Sequence, residues 1–215
     1  MARLFSATPA NDLPPTPNYN VCPTNRIHSV RRSDTGRRLV GMRWGFIPHW
    51  YNAPNDGPLL INARAETIAE KPAFKEASRH RRCLIPASGF YEWTRDEAGN
   101  RLPWYIYRRD RKPIAFAGIW QDWRQGDNVM STCAIVTTRA NPVISAIHHR
   151  MPVIIDRSDF GLWLGEEGKG AARLMRAPDD DLLAFHRVST RVNSNRAQGE
   201  ELIEPIAQQT DPQTD

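Results

Sequence analysis

Cysteine is scarce in this 215-residue chain: Cys22, Cys83 and Cys133 are far apart and odd in number. That excludes the disulfide framework that staples small secreted domains. Each cysteine reads first as a small buried hydrophobe. No Cys-x-x-Cys and no His-Glu-x-x-His occurs, so the usual zinc signatures are missing. No apolar run approaches the roughly 20 residues of a membrane-spanning helix. The opening Met1-Ala2-Arg3-Leu4-Phe5-Ser6 has no apolar stretch long enough for a secretory leader. Repeats and dividing linkers are lacking too. These absences lead to the expectation of one cytoplasmic domain with no metal, cofactor or membrane partner.

What is present is ordinary in bulk and biased in charge. Hydrophobic residues make up 40% and charged residues 25%, as in soluble globular domains. The net charge is +5 and the sequence pI about 9.4, a balance that favours polyanions. Arginines cluster at Arg79, Arg81 and Arg82, and again at Arg108, Arg109 and Arg111; a solvated face is the plain alternative.

Residues 7–24 are rich in proline, asparagine and threonine and read as an ordered extended loop, since proline breaks a helix. Short β-branched and aromatic runs predict strands near 38–47, 59–64, 82–86, 103–108, 113–120 and 131–138. Gly99-Asn100 predicts a hairpin turn. Pro72 opens a helix over about 72–80, Pro142 a short one to about 147, and Ser158 caps another over 159–164. A further helix is expected over 171–176. Scattered strands with few helices indicate an α+β domain over 1–207, with a frayed tail over 208–215.

Four segments set polar groups among aromatics and turn formers, the residue mix of a site that stacks a base and holds a phosphate. They are Trp44-Gly45-Phe46-Ile47-Pro48-His49-Trp50, Ile61-Asn62-Ala63-Arg64-Ala65-Glu66-Thr67, Pro86-Ala87-Ser88-Gly89-Phe90-Tyr91-Glu92-Trp93 and Ile147-His148-His149-Arg150-Met151-Pro152. In this order they resemble the SRAP family (SOS-response-associated peptidase-like). So do Asn18-Tyr19-Asn20-Val21-Cys22-Pro23-Thr24, Phe116-Ala117-Gly118-Ile119-Trp120 and Val188-Ser189-Thr190-Arg191-Val192-Asn193. The likeness runs from about residue 14 to about residue 206.

The resemblance implies a compact domain of antiparallel strands curled towards a barrel, working as a monomer without cofactor. It implies a sensor of abasic sites in single-stranded DNA, nucleoid-associated when bound. In the family an N-terminal cysteine condenses its amine with the abasic aldehyde and closes a thiazolidine with its thiol. By the same resemblance Asn62 fixes the sugar, Glu92 moves protons at the attacking amine, and His148 protonates the ring oxygen. Arg64 and Arg150 grip phosphates, Trp44, Trp50 and Trp93 stack or wedge bases, and Pro23 and Thr24 shape the strand's path. Taken alone, Glu92 reads as a strand-end carboxylate paired with an arginine, Asn62 as a turn residue, and the tryptophans equally well as core.

The opening departs from the family's Met-Cys-Gly-Arg-Phe: position 2 is alanine. Ala2-Arg3-Leu4-Phe5 reads as the end of the helix that follows the family's first strand, which implies a late start at an internal methionine. Cys22 has no α-amine and does not replace the nucleophile. Two other readings stay open: a single-stranded DNA-binding module without chemistry, and a self-processing cysteine peptidase.

Overall fold

A computed structural model describes residues 1–206; the tail expected over 208–215 lies outside them. The elements, in chain order, begin with α1 (Ala2–Phe5), β1 (Ala7–Pro9), β2 (Arg26–Ser33), β3 (Gly36–Trp44), β4 (Asn62–Arg64) and α2 (Pro72–His80). There follow β5 (Arg82–Ala87), β6 (Gly89–Arg95), β7 (Arg101–Arg108), β8 (Ile114–Gln125) and β9 (Asn128–Arg139). The last are α3 (Pro142–Ser145), β10 (Arg150–Pro152), α4 (Phe160–Leu164) and β11 (Leu183–Arg187).

Strands β3, β2, β5, β8 and β9 are hydrogen-bonded in that order. The sheet closes into a five-stranded barrel where β3 runs parallel to β9, with Trp44 opposite Cys133. Closure leaves no exposed edge among these strands, and a barrel of five has little room inside. Small residues, Ser29, Cys83 and Cys133, are fully buried there beside larger ones such as Met42 and Phe116. At Gly118 a Cβ would meet Cys83 Sγ at 2.7 Å, so only glycine fits there. The outer face of the barrel is covered by α1, α2 and α4 through Phe5, Phe74, Phe160 and Trp163. Phe5 stacks on Phe160 at 5.0 Å.

A second sheet, in the order β11-β7-β6, packs against one end of the barrel. Phe90 meets Phe116 edge to face at 5.7 Å across the junction. The chain is thus α+β with a curled sheet, as expected.

Some local readings change. Strand β2 was not expected, because Arg-Ile-His-Ser-Val-Arg-Arg-Ser offers no apolar alternation; the pairing on both edges makes it a strand. The loop over 7–24 begins with β1, which pairs β3 in parallel. Ser158 is not a cap: it lies inside a 3-10 turn over Arg157–Asp159, and α4 starts only at Phe160. The segment expected as a helix over 171–176 is a 3-10 turn over Ala171–Leu174. Helix α2 falls on 72–80 as read, with Pro72 in its first turn.

Candidate functional site at the junction of barrel and second sheet

The C-terminal half of β9 is the strut of the site. Strand β4 lies on one edge of it, with Asn62 opposite Ile135 and Arg64 opposite Thr137. Strand β10 lies on the other, with Arg150 opposite Arg139. In β4 the period of two buries Ala63 in the core and leaves Asn62 and Arg64 exposed. Three short motifs distant in sequence therefore meet because one strand is shared.

His148 is delivered by α3. Asn141 caps that helix, its Oδ1 accepting from the Ile144 amide at 3.0 Å. The His148 amide then donates to Ile144 O at 3.0 Å, and β10 starts two residues later. Glu92 arrives from the other side, on β6, facing the barrel. His148 Nδ1 lies 3.5 Å from Glu92 Oε1 and 2.9 Å from Arg150 O. The Arg150 amide also donates to Nδ1, at 3.2 Å, so both the neutral and the protonated ring find a partner there. Burial pushes the Glu92 carboxyl above its ordinary value, while His148 beside it pulls the other way. The pair sets a proton donor beside an acceptor at ion-pair distance, the equipment of general acid–base catalysis.

Arg150 has a protein partner already. Its fork makes two bonds to Glu66, at 2.8 and 2.9 Å, and reaches Thr137 O at 2.7 Å. This hydrogen bonding holds the Glu66 carboxyl below its ordinary value. Arg64, by contrast, is exposed. The two line an open cleft of about 480 Å³ together with Arg139, Ala140, Ser145 and His149. Arg139 and Ser145 were missed from the sequence, since only the pairing of β9 with β10 brings them beside Arg64. His149 was set aside in favour of His148; its ring sits 4.4 Å from that of His148, on the cleft side.

The three tryptophans part company. Trp44 donates its indole N–H to Ile61 O at 3.0 Å and packs half-buried on the core, bracing the approach to Asn62. Trp50 is 48% exposed, on the loop that leaves β3 and returns through the Phe46–Leu60 bridge to β4. Trp93 alternates with Glu92 and so lies on the other face of β6, its N–H on Asn193 Oδ1 at 2.7 Å and Arg101 over its ring at 4.5 Å.

Pro23 and Thr24 are exposed on a turn pinned to the end of β3, where the Thr24 amide donates to Trp44 O at 2.7 Å. Thr24 adopts φ 73°, a left-handed conformation uncommon for a β-branched residue and a mark of a constrained loop. Cys22 beside them is half-buried, and burial raises its thiol. Cys133, inside the barrel, is pushed up to about 12 and is no nucleophile. Helix α1 is fastened elsewhere: Arg37 donates to Phe5 O at 3.1 Å near the start of β3, remote from Trp44 at the strand's other end.

The SRAP (SOS response associated peptidase) family model matches residues 1–195. The chain belongs to the SRAP family. Among relatives of this SRAP protein is the abasic site processing protein YoqW of Bacillus subtilis (strain 168), 37% identical over 192 residues, covering 87% of this chain and 86% of YoqW. The abasic site processing protein YedK of Escherichia coli (strain K12) is 32% identical over 200 residues, covering 91% of this chain and 87% of YedK. The abasic site processing protein HMCES of Pongo abelii is 31% identical over 232 residues, covering 88% of this chain but 65% of HMCES. A solved structure from Bacteroides thetaiotaomicron superposes with a TM-score of 0.76 at 28% identity, over 86% of this chain and 82% of that one.

Proposed function

We propose that this SRAP protein recognises abasic sites in single-stranded DNA and prepares them for reaction at the Glu92–His148 pair. The observation that carries the reading is that pair, set 3.5 Å apart beside an arginine-lined cleft. An abasic sugar is mostly a closed hemiacetal. Protonating its ring oxygen opens it to the aldehyde, and the His148 imidazole, able to give and take a proton, suits that transfer. Glu92, holding its proton more tightly than an ordinary carboxyl, is matched to returning and accepting a proton at C1′. Arg64 and Arg139 supply charge for the flanking phosphates, and Asn62 a hydrogen-bonding group for the sugar.

We assign this SRAP protein recognition and ring opening of the abasic sugar, acting as a monomer on cytoplasmic, nucleoid-associated DNA. The test mixes the protein with matched single-stranded oligonucleotides, abasic and intact, and with the abasic duplex. Fluorescence anisotropy is expected to rank abasic single strand first. Equal affinity for all three substrates would refute the recognition.

A further inference from the structure

Trp120 closes the Phe116–Trp120 segment, yet the site at the second sheet has no use for it. It lies lower in the barrel. Arg31 of β2 is directly opposite Arg38 of β3, and the Trp120 amide donates to Arg81 O at 2.8 Å, which sets those two residues opposite each other. Opposed residues of an antiparallel pair share a face. Asp122 and Arg124 follow Trp120 at a spacing of two and share it as well. The Arg31 guanidinium rests over the Trp120 ring at 4.2 Å. Arg31, Arg38 and Arg81 thus share a face with one indole, and Arg124 follows four residues along β8; Trp120 and Trp44 both lie opposite Cys133, and Arg38 is six residues from Trp44 on β3, roughly 20 Å along the strand.

This charge is not paired by contact. Among the described residues none of Arg31, Arg38, Arg81 and Arg124 has a carboxylate within 4.0 Å. The Nε atoms of Arg31 and Arg81 are buried with no hydrogen-bond partner. Asp122 is the acid on this face; it accepts from Ser131 Oγ, and none of these arginines lies within 4.0 Å of it. Like charges directly opposed across two strands are destabilising, and a buried unsatisfied donor costs free energy as well. A phosphate relieves both, since the guanidinium fork matches its oxygens, and the indole offers a stacking surface.

We propose that this barrel mouth is a second nucleic-acid site, gripping backbone phosphates without regard to the lesion. The identity of the polyanion rests on the reading above; the anion site rests on the arginines. An extended single strand spans more than the roughly 3.4 Å rise per nucleotide of a duplex, so the short probe is a trimer with a central abasic site, which fills one site, while a 30-mer reaches both. The test measures anisotropy with the abasic trimer and an abasic 30-mer, using Arg31→Gln/Arg38→Gln/Arg81→Gln and, should circular dichroism show that variant unfolded, Arg38→Gln/Arg124→Gln. Expected is at least a tenfold loss of affinity for the 30-mer, a log–log salt slope shallower by about 0.7 for each phosphate contact removed, and an unchanged trimer. No loss on the 30-mer, or equal loss on both lengths, overturns the proposal. A wild-type protein that ignores the trimer while the variant still loses the 30-mer refutes the lesion reading and supports this one. In ¹⁵N spectra the Arg31 and Arg81 Nε–H signals are expected to shift with the 30-mer; a response to millimolar inorganic phosphate alone makes the mouth a small-anion site and overturns the proposal.

Discussion

Glu92 is a buried carboxyl that folding makes harder to ionise, and that has a measurable consequence for stability. Its folded-state titration lies above the ordinary 4.5. The group's contribution is therefore fully present below the unfolded value and is lost as pH rises through the folded one. Glu92→Gln is expected to raise the melting temperature at neutral pH, with the gap closing below about pH 4, where both proteins carry a neutral group. A scan of melting temperature against pH checks this; a gap that widens in acid refutes it. The same substitution removes the proton carrier and should slow sugar opening by about 10²–10⁴-fold. Arg64 and Arg150 are separable in the same way. Arg64→Ala is expected to weaken DNA binding and flatten the salt slope by about 0.7 with no change in melting temperature, since the side chain is exposed. Arg150→Ala strips Glu66 and Thr137 O of their donor and should also cost about 1–3 kcal/mol of stability. If denaturant titration shows both variants equally stable, the distinction fails.

At the scale of elements, β9 does the assembling. Its N-terminal half closes the barrel with β3 and β8, and its C-terminal half gathers Asn62, Arg64 and Arg150. The tightness of that barrel is tested at β8. Gly118→Ala puts a methyl group 2.7 Å from Cys83 Sγ and 2.9 Å from Ile85 Cδ1, and overpacking of this kind costs about 1–3 kcal/mol. Cys83→Ala alone removes a buried sulfur and should destabilise; combined with Gly118→Ala it should recover part of the loss. The double-mutant cycle reads this as a coupling energy, and strictly additive losses refute the contact. Elements with β-branched and aromatic runs or a proline start were legible in advance, such as β8, β9 and α2. Strand β2 was not, because its Arg, His and Ser positions conceal a face buried only once β3 and β5 flank it.

For the whole molecule, net charge and shape set the expectation that DNA affinity falls steeply with salt as counterion release is suppressed. Two arginine-bearing regions on one barrel imply a steeper slope for long strands than for short ones, read by anisotropy across 50–200 mM salt. A slope independent of length refutes the two-site arrangement.

The sequence by itself determined the family, the α+β class and the motifs that bear Asn62, Glu92 and His148, because turn formers, aromatics and ionisable groups at fixed spacing are local properties. It also determined that Ala2 offers no thiol. Only the tertiary structure decided which of these residues meet. Glu92 and His148 are 56 positions apart in the chain, and their contact exists because the second sheet packs on the barrel end. The same folding turned Trp93 away from Glu92, engaged Arg150 with Glu66, and set Arg31 over Trp120 with no carboxylate within 4.0 Å of its guanidinium among the described residues. Pairing across strands is set by register and closure, and neither is written in any one stretch of chain.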